Sequence, residues 1–535
     1  MRVLVLLRFN INLDMKMVHK ILDRIRSSIS KEDLLRIFFG AFSLFLLFMI
    51  SKLALRGGVL PTTLRNILLF SMMILVLNMS RKAFWVFAFP FVLLYAIYLP
   101  IGINFGPPSY QYFASVLATD GNEAKEFFQQ IPIKYYLYSV FMVGGIILFR
   151  ILTTRFDLRF AENKTVMIVL VIIVMLPQAP LKYPKQVYWS SVKVIEDMQE
   201  LKKLQKKSEW EVENVHSEYD TYVLVIGESA RKDYHGVYGY PIENTPFMSS
   251  TKGVIVDGLT SGGINTVASL RLMFTHSKTP NWQPRYEASF VDLANSADIE
   301  TIWISNQGFF GTFDTPITAI AEKSKIKRFI KKEAYNSKNT DDLVLLSPFK
   351  TFLEKKTKKT RLIILHLYGS HPYICDRLHG FTPNYTVDNQ YYRDIACYVT
   401  SIHKTDHFLQ QVKEALDQYA NTFDKRYSMI YFSDHGLAHR ELDGRMTINN
   451  NFAVKQHYDI PLIKISSDDT ERVVIKRQKS GLNFTKGLAH WMGIEAAQIP
   501  EAYDLFSDED DEDDYGLSER LEKLKDDPAI DIREL

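Results

Sequence analysis

Two hydropathy regimes divide this chain. Up to about residue 181, polar residues sit at the edges of five uncharged apolar segments, centred on Ile37–Ser51, Asn66–Ser80, Ala83–Phe105, Tyr135–Phe149 and Thr165–Leu181. Five such segments in one third of a chain predict membrane helices rather than buried soluble ones. Several have a core of about 15 residues, short of the roughly 20 that cross a bilayer. Flanking Arg36, Lys52, Arg65 and Arg150 can snorkel and extend them. Beyond residue 220 short apolar runs alternate with helical stretches. Tyr222–Ile226, Val254–Val256, Thr301–Ile304, Leu362–Leu367, Met429–Phe432 and Ile460–Ile465 read as strands, with Thr266–His276, Phe290–Ala297 and His403–Asp417 as helices between them. Continuous apolar runs belong to strands buried on both faces, so the expected fold is an α/β domain with a mainly parallel sheet covered by helices on both faces.

This pattern implies a basic arm over 1–33, a five-helix transmembrane domain over 34–181, a charged connector over 182–220 that is helical around Val192–Glu209, an α/β domain over 221–500, and a tail over 501–535. The tail carries seven consecutive acids, Asp508–Asp514, and is expected to be solvated and disordered. No internal repeat is evident.

Charge sets an orientation. The arm holds Arg2, Arg8, Lys16, Lys20, Arg24, Arg26, Lys31 and Arg36, and the loops after spans two and four are also basic. The loop Gly106–Ile133 is not: Lys125 faces Asp120, Glu123 and Glu126. The positive-inside rule then puts the N-terminus in the cytoplasm and, after five crossings, everything beyond about residue 182 outside. The arm is too long and too charged for a standard cleaved signal, and Met15 or Met17 could be the true start. The whole-chain net charge of +3 averages over this split, while an aromatic content of 13% suits interfacial anchoring. Membrane lipids are the expected surroundings, with no nucleic-acid partner and a monomeric state. The two cysteines, Cys375 and Cys397, lie in the outer part, where a bridge can form; they are too few for a cysteine-based zinc site.

Candidate chemistry collects where strands end, which is where ligands sit in parallel sheets. Glu228 follows Tyr222–Ile226. Asp434 and His435 follow Met429–Phe432. His371 follows Leu362–Leu367, and Thr266 follows the turn Ser261-Gly262-Gly263-Ile264-Asn265 and opens a helix. Oxygen donors with an imidazole suit zinc, or manganese if geometry demands it. A threonine hydroxyl is a poor nucleophile unless a metal or base activates it. At a helix N-terminus it is also well placed for a phosphate. Each element alone is weak; an acid after a strand is often only a helix cap.

Together they form a known wording. Val225-Ile226-Gly227-Glu228-Ser229-Ala230-Arg231, with His235-Gly236-Val237-Tyr238-Gly239-Tyr240, resembles the opening motif of bacterial phosphoethanolamine transferases, membrane-anchored members of the alkaline phosphatase and sulfatase superfamily. Thr266-Val267-Ala268-Ser269, Gly369-Ser370-His371 and Ser433-Asp434-His435-Gly436 resemble their later motifs. The resemblance implies a sulfatase-like fold at the inner membrane with a periplasmic catalytic domain. It implies zinc, one ion with a second conceivable, held by Glu228, Thr266, Asp434 and His435. It implies Thr266 as nucleophile, His371 assisting at the phosphoryl group or a second metal, phosphatidylethanolamine as donor, and a glycolipid or glycan acceptor: lipopolysaccharide lipid A or core, or a periplasmic glucan.

The chain departs from the pattern in three places. The cysteine pair that brackets the nucleophile helix in many relatives falls at Gly262 and Leu272. A phosphate-contacting lysine is replaced at Phe310-Gly311, where Arg271 is the candidate substitute. A further histidine falls near Thr447, with His457 as its candidate substitute and His439 as the other histidine in range. A phosphoglycerol transferase or a phosphodiesterase of the same fold is the enzymatic alternative, and a degenerate membrane scaffold or sensor the non-enzymatic one. A sulfatase maturation motif is absent.

Overall fold

The computed structural model describes residues 30–535 apart from 109–112, 114–120, 159–164, 166–178, 204–207, 277–281, 310–314, 333–340, 379, 383, 443, 451 and 534. The chain divides into two compact units, residues 1–103 with 133–184 and residues 104–132 with 185–535.

In the first unit, helices Lys31–Gly57, Arg81–Phe105 and Ile133–Arg155 are long and apolar enough to cross a membrane, and Leu64–Asn78 is a shorter apolar helix. Ser30 starts the first of these with a capping box to Asp33. Gly57 and Gly102 let two helices touch: a Cβ on Gly102 would lie 1.8 Å from the Gly57 carbonyl oxygen. Arg150 does more than snorkel. Its guanidinium donates to the Asn78 carbonyl at 2.7 Å, placing a cation on the C-terminus of the short helix. Of the expected fifth segment, Thr165–Leu181, only Thr165 and residues 179–181 are described.

The second unit is built on one mixed eight-stranded sheet. Its strands are β1 (Thr221–Gly227), β2 (Gly253–Val256), β3 (Glu300–Phe309), β4 (Ile326–Lys332), β5 (Arg361–His366), β6 (Tyr427–Ser433), β7 (Leu462–Ser466) and β8 (Arg472–Ile475). Their order is β8-β2-β7-β6-β1-β5-β3-β4, and β7 alone runs against its neighbours. All seven residues of β1 are buried. Tyr222, Leu224 and Ile226 join one core with Trp303 and Phe432; Val223 and Val225 join the opposite core with Ile363, Leu365 and Tyr431. Burying side chains of this size is worth about 1.5–3 kcal/mol each, so β1 fixes the centre of the sheet. Helix Thr266–Met273 and helix Phe290–Ser296 contribute to the first core, and the long helix Arg393–Phe423 to the second. Cys375 and Cys397 are bridged, tying the turn Ile374–Arg377 to that long helix.

The structure differs from the sequence reading at both ends of this unit. Part of the connector is a strand: Val212–Val215 pairs antiparallel with Ile494–Ala496. The acidic tail is ordered. Leu505 and Ile532 are buried, and the acids bond to particular partners. Asp508 pairs with Arg477, and Asp511 accepts from the Ser480 backbone at 2.7 Å and from Tyr503. Asp511 also faces the buried ammonium of Lys479 at 3.8 Å. Like charges in a run are solvated only when nothing compensates them; here the body of the domain supplies the cations and amides. Asp511→Ala leaves the Lys479 ammonium buried without its counter-charge. That should lower stability by about 3–5 kcal/mol, read by denaturant unfolding of the purified protein. Glu512→Ala, at an exposed position of the same acidic run, should change stability by no more than about 0.5 kcal/mol.

Candidate active site

Register builds the site. Parallel pairing sets Gly227 of β1 opposite Ser433 of β6, so the next residues of the two strands, Glu228 and Asp434, emerge side by side at their carboxyl ends. His435 follows. Ligand atoms of Glu228, Asp434 and His435 all lie within 4.8 Å of one another, and all three residues are buried. His435 Nε2 is 3.5 Å from both Glu228 Oε1 and Asp434 Oδ2. Thr266 comes from outside the sheet. Gly262 and Gly263 fold the preceding turn tightly against the helix, since a Cβ on Gly263 would lie 2.8 Å from Ala268. Asn265 caps the helix by accepting from the Ala268 N–H at 2.9 Å. Thr266 Oγ1 then donates to Glu228 Oε2 at 3.0 Å and sits 3.5 Å from His435 Nε2.

The surroundings hold these groups in place. Ser229 adopts a left-handed backbone (φ 59°), a strained state for a residue with a side chain. Its N–H donates to Asp434 Oδ1 at 2.9 Å and its hydroxyl to Glu228 Oε1 at 2.7 Å, so the strain aims two acids at one point. Asp434 Oδ1 also accepts from the His435 N–H at 2.7 Å, which leaves Oδ2 buried without a partner. His435 Nδ1 donates to the Gly436 carbonyl at 2.7 Å, so it is Nε2 that faces the acids, with a lone pair to offer once its proton is displaced. Gly369, at φ 45°, must be glycine because a Cβ would lie 3.0 Å from the Glu228 backbone.

Burial would push Glu228 up, but the hydrogen bond to His435 and the charges of His435 and His371 hold it below the ordinary carboxylate range. Burial, reinforced by the Glu228 charge, drives Asp434 well above that range. Burial works against the charged imidazole of His435, yet Asp434 and Glu228 outweigh it and raise the group to about 9. Without a metal, the cluster therefore recruits protons to offset its own charge. Two carboxylates, an imidazole lone pair and a hydroxyl converging on one point, with one carboxylate oxygen orphaned, fit a zinc ion.

The other expected residues divide. His371 lies close enough for its charge to depress Glu228, and its ring stacks on Tyr368. His457 is buried, within reach of the charges of His435 and Arg231, and burial first, then His435, lowers it to about 3. Its Nδ1 accepts from the Val454 N–H at 3.2 Å, so the neutral ring carries its proton on Nε2, which is buried without a partner. It is thus a hydrogen-bond donor rather than a metal ligand. His439 is committed elsewhere: it bonds Tyr234 at 2.6 Å and Asp527 at 3.1 Å. Arg271 is buried in the helix that Thr266 opens. Gly262 and Leu272 do meet, a Cβ on Gly262 falling 3.2 Å from that of Leu272, so a leucine side chain packs where the resemblance implies a bridge. Phe310-Gly311 lies outside the described residues.

Sequence reading missed several supports. Gln307 Nε2 approaches Glu228 Oε2 at 3.4 Å and donates to the Leu367 carbonyl at 2.7 Å; its signal was its place past the strand Thr301–Ile304. Asp342 accepts from the Tyr368 and Gly369 N–H groups at 2.8 Å each. The C-terminal segment straps the site. Asp527 pairs with the buried Arg231 and accepts from the His439 N–H, while its own N–H donates to Gln456, beside His457.

The Sulfatase family model matches residues 220–494. A protein of Haemophilus influenzae described as a putative phosphoethanolamine transferase is 46% identical over 70% of this chain and 78% of its own length. The chain belongs to the phosphoethanolamine transferases of the alkaline phosphatase and sulfatase superfamily. The phosphoethanolamine transferase OpgE of Escherichia coli is 31% identical over 80% of this chain and 84% of its own length. Among solved structures, the integral membrane lipooligosaccharide phosphoethanolamine transferase A of Neisseria meningitidis shares the fold, with a TM-score of 0.57 at 16% identity over 84% of this chain and 95% of that one.

Because a zinc ion must displace the protons that the metal-free cluster holds, zinc binding near pH 7 should release at least one proton. With His435 titrating at about 9, apparent affinity should rise with pH up to that value, by about tenfold per pH unit for each proton displaced. Calorimetry in buffers of different ionisation enthalpy measures this; equal affinity at pH 6 and pH 8 would contradict it.

Proposed function

We propose that this transferase carries phosphoethanolamine from phosphatidylethanolamine to a hydroxyl of an envelope glycolipid or glycan through a phospho-threonine at Thr266. The observation that carries the reading is the approach of Thr266 Oγ1 to Glu228 at 3.0 Å and His435 at 3.5 Å. Glu228, Asp434, His435 and Thr266 are the residues that would hold zinc, which supplies Lewis acidity that lowers the pKa of the Thr266 hydroxyl. Glu228 Oε2 accepts the hydroxyl hydrogen bond and fixes the direction of Oγ1. The N-terminus of helix Thr266–Met273 favours the phosphate charge. His457, neutral and carrying its proton on Nε2, offers a donor suited to a phosphoryl oxygen. In the first half-reaction Oγ1 forms a bond to phosphorus as the bond to diacylglycerol breaks, and the threonine proton ends, net, on diacylglycerol. In the second, an acceptor hydroxyl forms the new bond to phosphorus, Oγ1 leaves, and the acceptor's proton returns to it.

The same reading includes five spans, a cytoplasmic N-terminus and a periplasmic catalytic domain in a bacterial inner membrane. Residues 104–132 belong to the same unit as residues 185–535, which supports a topology with both on one side of the membrane. An even number of crossings must therefore separate them. Helix Ile133–Arg155 supplies one, and the apolar segment Thr165–Leu181 is the sequence available for the other. Three crossings before residue 104 then put the N-terminus on the opposite side.

Thr266→Ala should keep its zinc, measured by elemental analysis, while losing diacylglycerol release from phosphatidylethanolamine vesicles; full release in that variant would exclude the covalent route. Glu228→Ala should lose both.

A further inference from the structure

Residues 525–535 follow the acidic run and dock on the loop that carries His457. Val454 and Lys525 form a parallel β-bridge, and the Lys455 N–H donates to the Lys525 carbonyl at 3.0 Å. Gln456 is held at both ends of its amide. Its Oε1 accepts from the Asp527 N–H at 2.9 Å, and its Nε2 donates to Asp526 Oδ1 at 2.6 Å. Farther along, the Ile530 N–H donates to the Tyr234 hydroxyl at 3.0 Å, the Tyr240 hydroxyl donates to the Ile530 carbonyl at 2.8 Å, and Ile532 is buried.

These contacts reach the His457 ring through one residue. The Val454 N–H bonds His457 Nδ1 at 3.2 Å, which leaves the ring proton on Nε2; Val454 in turn rests on Lys525. On its other side the turn 455–457 is pressed against Gly436. A Cβ there would collide with the Gln456 carbonyl oxygen, and the Gly436 N–H donates to the His457 carbonyl at 2.8 Å. Asp527 anchors the segment by charge. Its Oδ2 pairs with the fully buried Arg231 at 3.2 Å and accepts from the His439 N–H at 2.8 Å, and its Oδ1 meets His439 Nδ1 at 3.1 Å. Arg231 belongs to the stretch that opens with Glu228, and His439 to the strand that follows His435. One residue near the end of the chain therefore ties both stretches to the loop of His457. Charge-assisted hydrogen bonds of this kind are roughly twice as strong as neutral ones, so the carboxylate is the firmest hold on this segment.

We propose that Asp527 is a positioning residue for phosphoryl transfer: it anchors the segment on which Val454 rests, so that the His457 ring holds its Nε2–H ready for a phosphoryl oxygen. The inference rests on the transferase reading above, in which His457 is that donor. The test uses the full chain with phosphatidylethanolamine vesicles and measures diacylglycerol release. Asp527→Ala should lower kcat by about tenfold, since misplacing a group at the reacting centre by about 1 Å costs up to about a hundredfold. KM should stay within about twofold and zinc content should not change. In a His457→Ala background the same substitution should cost no more than about a further twofold, because both residues act through one donor. A segment that only stabilises the fold would give equal losses in the two backgrounds, and that result overturns the proposal. So does loss of zinc from Asp527→Ala, or an undiminished rate in either single variant. Asp531→Ala breaks an exposed ion pair with Arg533 in the same segment and should release diacylglycerol at the parent rate; a loss matching that of Asp527→Ala also overturns the proposal. If Asp527→Ala does not fold, Asp527→Asn, which keeps the shape and removes the charge, carries the same cycle. Failure of the unmodified chain to release diacylglycerol at all would instead sink the transferase reading, and this role with it.

Discussion

Two carboxylates buried at the ends of adjacent parallel strands repel each other, and the site is organised around that repulsion. The β1–β6 register puts Glu228 and Asp434 together, and the apolar cores on both faces of the sheet prevent either strand from slipping, because a shift of one residue would send every side chain into the opposite core, shaped for a different neighbour. The protein cannot relieve the repulsion by moving the acids, so it must bring positive charge to them. The raised His435 imidazole is the answer in the absence of metal; a divalent ion is the natural replacement. The strained Ser229 and the close-packed Gly369 persist because the same cores over-determine the backbone around Glu228.

Thr266 is positioned independently of the sheet, by a turn and a capped helix. That separation has a use. The acids are fixed by strand register, whereas the hydroxyl is fixed by the packing of Gly262 against Leu272 and of Gly263 against Ala268. Thr266 can therefore be held to tight tolerance without a bridge across its helix. Its direction is set by a hydrogen bond to Glu228 and a longer contact to His435, both of which the sheet already holds.

Much of this was legible in the sequence because continuous apolar strands are short, local signals. The centres of β1, β2, β3, β5, β6 and β7 were readable, and the acids and histidines past them were visible as departures from apolar runs. What the sequence could not display was pairing at a distance. β4 carries four basic residues among its seven, Ile326–Lys332, and so hides its strand character at a sheet edge. β8 is short and partly exposed. The acidic tail read as solvated because its compensating partners, Arg477, Lys479 and the amides nearby, lie about 30 residues upstream with nothing local to announce them. Arg231 looked like motif wording; only the fold reveals that Asp527 completes its surroundings.

That last contact bears on how the molecule is made. Of all the segments that meet around the Glu228–Asp434–His435 cluster, the one containing Asp527 leaves the ribosome last. Until it arrives, Arg231 lacks one of its two counter-ions and Gln456 lacks its tether. A nascent chain can thus assemble its sheet and gather its acids early while the loop bearing His457 stays unbraced until the segment around Asp527 docks.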